Sequence, residues 1–212
     1  FFGLLNGLGV TLLRIPPLVM TLGMLGVLQG LLVVIRQGIP SGRAAPGLSQ
    51  FVTQPFLFGL PGIIWLWLCV GLLMAFLLHR TVFGHRIYAI GSNEEAVRLS
   101  GVNVDRWKIG VYALSGAIVG VGGVLIASRL NSAQPALGQG YELEAIAAVV
   151  IGGTSLSGGR GTVLGTLIGA LIISVLANGL RILSVAQEWQ TVVTGSIIIL
   201  AVYIDMLRRR RL

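Results

Sequence analysis

Two short stretches carry residue types that could do chemistry. In the first, Thr154 to Gly165, the run Leu156-Ser157-Gly158-Gly159-Arg160 precedes an apolar segment. Glycine-rich turns that open a helix present free backbone N–H groups able to hold a phosphate. A nucleotide site needs more: a P-loop, G-x-x-x-x-G-K-[ST], and an acidic residue for the metal that accompanies the phosphates. The single lysine, Lys108, follows Trp107 and not a glycine, so there is no P-loop and the run reads as a tight turn with Arg160 as its charge. Acid–base chemistry is equally unsupported. Glu142 and Glu144 are two residues apart, a spacing that points them in different directions on a helix, and His79 and His85 lie in a distant basic segment. No catalytic residue, metal ligand set or cofactor site is assigned.

The second stretch is Ser92 to Gly101. Ser92 and Glu95 have the spacing of a capping box, Gly101 stands where a helix-ending glycine belongs, and Ala96, Val97 and Leu99 form a small apolar face between them. A helix this short does not hold itself together in water. It needs a surface to dock on.

Membrane helices are the elements that must position both stretches. The 212 residues are 55% hydrophobic and 10% charged, with a mean hydropathy of +0.91, far from the balance of a soluble domain. A net charge of +8 would suggest nucleic acid in a soluble protein. Here the charges fall between and after apolar runs, as in cytoplasmic loops, and no aromatic-basic face for stacking bases is present; nucleic acid is excluded as a partner. A hydrocarbon core of about 30 Å needs about 20 apolar residues per helix. Such runs lie near 1–13, 17–35, 56–78, 109–129, 142–157, 161–180 and 190–206. The fold expected is all-α, a polytopic transmembrane helical bundle of about six to seven spans, with the short 142–157 counted as one crossing or two half-crossings. Further spans are expected before Phe1, since the sequence opens inside an apolar run.

The segment His79 to Lys108 holds five Arg or Lys, and the tail carries Arg208 to Arg211; both read as cytoplasmic, the tail attracted to anionic lipid by about 1 kcal/mol per charge. Arg36 to Pro55 then lies outside. Gly161, Gly165 and Gly169 recur every four residues, as do Gly116 with Gly120 and Gly3 with Gly7, placing bare backbone on one helix stripe for close packing. Cys69, the only cysteine, is expected to be a small packing residue. Thr21, Gln29, Thr166, Ser174 and Asn178 are polar groups at membrane depth and candidates for lining a pathway; each could equally bond to its own helix or to a neighbouring one. Arg129, Gln134, Glu142 and Glu144 flank the short outer segment Leu130 to Tyr141 and are candidates for meeting an outer partner or gating an entrance.

Ala89 to Val104, "AIGSNEEAVRLSGVNV", resembles the cytoplasmic coupling segment of the permease subunits of sugar-importing ABC transporters, the ribose, xylose, arabinose and autoinducer-2 type. The likeness continues through Ser128 to Ala170 and includes Leu12 to Leu31, so it covers most of the chain in the right order. The resemblance implies a permease of the bacterial inner membrane that pairs with a second permease copy or paralogue. It would receive a ribose-like pentose or related monosaccharide from an extracytoplasmic sugar-binding protein. Separate cytoplasmic ATP-binding cassette subunits would drive it, so the chain itself is not an enzyme and needs no cofactor. The coupling residues carry over as Gly91, Asn93, Glu94, Ala96, Ser100 and Gly101, within a coupling loop at 79–108 of a permease domain that fills 1–212. The first spans of that family are absent from this chain. Permeases of branched-chain amino-acid importers share the architecture; the Asn93-Glu94 loop and Gly153-Thr154-Ser155-Leu156 favour the sugar branch. An ion-driven secondary transporter would need charged residues within its spans, and this chain has almost none.

Overall fold

Proline sets the start of two helices. Its fixed φ suits the first helical position, where its missing N–H is not needed. In the computed structural model, which describes residues 1–37, 45–132, 138–156 and 158–210, α1 (Phe2–Thr11) is followed by a break at Arg14 and then by α2 (Pro17–Arg36) with Pro17 at its start. α3 (Pro46–Thr53) begins on Pro46 in the same way. Next comes a small antiparallel hairpin, β1 (Pro55–Leu57) and β2 (Leu60–Pro61), in which Pro55 pairs with Pro61 and Leu57 with Leu60. The indole N–H of Trp65 donates to the Leu57 carbonyl at 3.2 Å and ties the hairpin to the next helix. That helix is α4 (Gly62–Arg80), followed by α5 (Val82–Ser92), α6 (Glu94–Leu99), α7 (Val104–Leu130), α8 (Tyr141–Ile151), α9 (Val163–Ile182) and α10 (Gln187–Arg210).

Four described helices are long and apolar enough to cross a membrane: Pro17–Ile35, Gly62–Arg80, Val104–Leu130 and Val163–Ile182. They turn large apolar side chains outward, among them Val34, Leu72, Val119 and Val175, each at least 70% exposed. Such surface is stable only against lipid or protein, and the molecule is a helical membrane bundle. Two shorter apolar helices, Phe2–Thr11 and Glu188–Tyr203, stand at the runs 1–13 and 190–206. The boundaries differ from expectation in three places. The run 56–78 starts at Gly62, because Pro55 to Pro61 form the hairpin; the run 109–129 starts at Val104, where Asn103 caps the helix. The run 142–157 yields only α8, whose 11 residues reach about 16 Å at 1.5 Å per residue, too short for a full crossing by itself.

The chain divides into two compact units, Phe1–Cys69 with Arg98–Leu137, and Val70–Val97 with Gly138–Leu212. In the first, α1 lies on α7 with glycine against backbone: a Cβ on Gly116 would stand 2.8 Å from the Gly3 Cα, and one on Gly7 2.9 Å from the Ile109 Cα. Gly120, by contrast, faces open space, so only one glycine of that expected pair is used. Cys69 is exposed on α4 and does not pack as expected. In the second unit, Ala147, Ala148 and Ile173 form the core, with Ile151, Ala170 and Ile198 packed on it. There α8 and α9 run antiparallel with Gly169 against the Ala148 carbonyl and Gly165 against that of Gly152. Gly161 belongs to the same stripe but meets the Thr154 side chain rather than a helix.

A side chain at Gly169 must displace the Ala148 backbone, an overpacking that destabilises by about 1–3 kcal/mol. Gly169→Val is therefore expected to lower the melting temperature of the purified protein by roughly 3–10 °C, measured by scanning fluorimetry in detergent. Gly120→Ala, in open space, is expected to leave it unchanged.

Candidate coupling site

The helix break at residue 93 builds the first half of this site. Asn93 is extended, with φ −153°, and its side-chain Oδ1 accepts the Ala96 N–H at 3.0 Å. Asn93 is thus the N-cap of α6, in place of the expected Ser92. The reason is local: α5 continues through Ser92, so that residue is still helical when the chain turns. Glu94 and Glu95 lie in the first turn of α6 and Arg98 in its last, each at the helix end that favours its charge. Gly101 closes the helix as expected, with φ +85°, and its N–H donates to the Arg98 carbonyl at 3.1 Å. Asn103 then caps α7 by accepting the Arg106 N–H at 3.2 Å, and Arg98 pairs with Asp105 at 3.2 Å. The pair is about half exposed and adds little stability. Leu99 is 83% exposed, which leaves the apolar end of this six-residue helix uncovered.

The second half is the glycine turn after α8. The Ser155 N–H donates to the Arg160 carbonyl at 3.0 Å and the Gly158 N–H to the Ser155 carbonyl at 3.1 Å, with Gly158 and Gly159 at φ +89° and +75°. The turn expected between two apolar segments is present, although Ser157 lies outside the described residues. It rests on the end of α5. A Cβ on Gly91 would come within 2.5 Å of the Gly159 nitrogen, one on Gly158 within 2.7 Å of the Gly91 oxygen, and one on Gly159 within 2.9 Å of the Ser92 Cα. Across the same contact the Tyr88 hydroxyl donates to the Gly161 carbonyl at 2.8 Å, and the Tyr88 ring stacks on His79 with centroids 6.4 Å apart. The end of α5 and the glycine turn, read separately in the sequence, therefore meet within the second unit.

Gly91, Asn93, Glu94 and Ala96 belong to the second unit, and Ser100 and Gly101 to the first, so the chain passes between units inside α6. Tyr88, Gly158 and Gly159 were not anticipated as members of the site. Gly91 held the available signal: glycine inside a helix is disfavoured by about 1 kcal/mol relative to alanine, and close backbone approach is a reason to retain it. The pathway candidates are not gathered. Thr21 bonds back to the Pro17 carbonyl at 2.9 Å and Thr166 to that of Thr162 at 3.2 Å. Gln29 is exposed on α2, while Ser174 and Asn178 are exposed one turn apart on α9. Arg129 ends α7, Glu142 is exposed, Glu144 is half-buried and His85 Nδ1 lies 2.9 Å from the Thr81 carbonyl. Gln134 and the side chains of Arg208 to Arg211 lie outside the described residues.

Residues 1–202 match the family model described as branched-chain amino acid transport system / permease component. The chain is similar to the ribose import permease protein RbsC of Bacillus subtilis (strain 168), 44% identical over 94% of this chain and 62% of the relative. It is 43% identical to RbsC of Escherichia coli (strain K12) over 96% of this chain and 64% of the relative. The xylose transport system permease protein XylH of Escherichia coli (strain K12) is 50% identical over 64% of this chain and 35% of the relative. The chain thus spans less than two thirds of the length of the curated relatives it matches. No solved structure matches it.

The geometry separates the cap from its neighbour. Asn93→Ala removes an N-cap, a loss of about 1 kcal/mol, and is expected to speed amide exchange in 94–99 about fivefold, whereas Ser92→Ala leaves it unchanged. Tyr88→Phe is expected to raise exchange in 154–162 without affecting α7. Hydrogen exchange with mass spectrometry on the detergent-solubilised protein reads both.

Proposed function

Because the chain belongs to the family of permease components of branched-chain amino acid transport systems, we propose that it forms the membrane-spanning part of an ATP-driven importer of a monosaccharide, a ribose-like pentose. The carrying observation is its likeness to ribose import permeases along nearly the whole chain. The importer sits in the bacterial inner membrane with the C-terminus of the chain in the cytoplasm. It works with a second permease copy or paralogue, cytoplasmic ATP-binding cassette subunits and an extracytoplasmic sugar-binding protein. ATP is hydrolysed on the cassette subunits, not on this chain.

In this reading α6 is the handle that the ATPase holds. Its exposed Leu99 and Ala96 offer apolar surface to a partner, and a helix too short to stand alone gains stability by docking. Motion imposed on α6 passes through Asn93 into the end of α5. From there it passes through the Gly91–Gly158–Gly159 contact and the Tyr88–Gly161 hydrogen bond into the turn that joins α8 to α9. Helices in glycine-mediated backbone contact move together, so α8 and α9 respond as one body. ATP binding then biases two packings of the bundle, and transport follows the shift in population. Thr21, Gln29, Thr166, Ser174 and Asn178 remain candidates for the pathway wall.

The test is ATP-dependent uptake by the full-length permease reconstituted with its ATPase and binding protein, offered pentoses, hexoses and branched-chain amino acids. Pentose uptake is expected, with Glu94→Lys and Gly101→Val reducing it at least tenfold at unchanged membrane insertion and with ATP hydrolysis retained. Uptake of amino acids alone would overturn the sugar reading. Normal uptake by both variants would overturn the coupling role.

A further inference from the structure

At the end of the second unit away from the glycine turn, the start of α8, the end of α9 and the start of α10 enclose a cavity of about 310 Å³. The helix register explains it. Gly169 faces Ala148 and Gly165 faces Gly152, and continuing that antiparallel register sets Tyr141 beside Leu176. The last turn and a half of α9 therefore extends past the start of α8, and the uncovered length faces α10. Leu143, Ala177 and Leu180 give its lining apolar surface, with Tyr141; Glu144, Arg181, Gln190 and Thr194 give it polar groups.

We propose that this cavity binds a neutral polyhydroxylated ligand, a single monosaccharide, on its way through the membrane; the proposal rests on the sugar reading above and gives it a place. The volume lies at the lower end of the roughly 300–1,000 Å³ typical of small-ligand sites. The polar groups offer both halves of a hydrogen bond. Thr194 donates its hydroxyl proton to the Gln190 carbonyl at 3.0 Å, which leaves its oxygen to accept, and Gln190 spends one amide hydrogen on the Val185 carbonyl at 2.8 Å, which leaves its Oε1 to accept. Glu144 accepts as well, and Arg181 only donates. A hydroxyl both donates and accepts, so adjacent sugar hydroxyls match such a mixed wall, while the C–H face of the ring suits Leu143, Ala177 and Leu180.

Charge narrows the class further. Glu144 lies in the first turn of α8 and Arg181 in the last turn of α9. Neither side chain has a hydrogen-bond or ion-pair partner among the described residues. Their charges cancel, so the cavity draws neither a cation nor an anion over distance. The one competing ligand of matching charge is a zwitterion, an amino acid with its carboxylate on Arg181 and its ammonium on Glu144.

The experiment places a cysteine in the wall, Thr194→Cys in a Cys69→Ser background of the full-length permease assembled with its ATPase, and follows maleimide labelling in proteoliposomes. Ala177→Cys reads the lining from α9 if the first variant does not assemble. Millimolar D-ribose is expected to slow labelling at least threefold while L-leucine does not, and Ala177→Leu is expected to reduce ribose uptake at least fivefold. Protection by leucine and not by ribose would overturn the ligand class. Absence of protection by either, with ribose uptake intact, would overturn the cavity as a site and leave the sugar reading standing. A wild-type assembly that transports no sugar would mark failure of that reading itself.

Discussion

In hydrocarbon an apolar side chain gains nothing by leaving lipid for a neighbouring helix, so helices hold together where their backbones come close enough for dispersion and weak hydrogen bonds. Several close contacts among the described residues meet that condition through glycine. Gly165 and Gly169 press on the carbonyls of Gly152 and Ala148, Gly3 and Gly7 press on α7, and Gly91 presses on Gly158 and Gly159. A methyl group at any of these positions would occupy the place of a backbone atom. The elsewhere exposed Leu, Ile and Val side chains of α2, α4, α7 and α9 are then available for lipid or for further helices.

The same contact fixes what α8 can be. Its 11 residues end at Ile151, just before the close-packed Gly152, and begin at Tyr141, just after Gly140 with φ +88°. A helix of that length leaves α9 uncovered over its last turn and a half. The polar ends of three helices converge there, so charged side chains line the cavity. Packing at one end of the α8–α9 pair and the cavity at its other end thus follow from a single register.

Much of this was legible in the sequence because membrane helices announce themselves by length and apolar content. Four of the expected runs became full-length helices, and Gly101 ended α6 where a left-handed residue was expected. The failures share one cause. Ser92 and Asn93 both cap helices well, and choosing between them required knowing that α5 persists to residue 92. The role of Gly91 depended on a turn nearly 70 residues away, and Gly120 matched the stripe spacing of Gly116 without having a neighbour. Local chemistry states what a residue is able to do; which partner it meets is decided by tertiary contact. The cavity was hidden for the same reason, since Glu144, Arg181 and Thr194 come from three helices and have no common spacing.

The glycine run Leu156 to Arg160 shows how one property serves two ends. Without Cβ atoms, a Gly-Gly turn exposes its backbone to whatever lies beside it. A nucleotide site would also need a P-loop lysine and a metal-binding acid, and the sequence has no P-loop. The place is taken instead by the end of α5, itself made bare by Gly91 and held by the Tyr88 hydroxyl. Two glycine surfaces in contact, with a hydrogen bond beside them, resist separation and have no side chain that could adjust to absorb a displacement. That stiffness suits the coupling proposed for α6, since a bulkier, more adaptable contact would dissipate a motion before it reached α8 and α9.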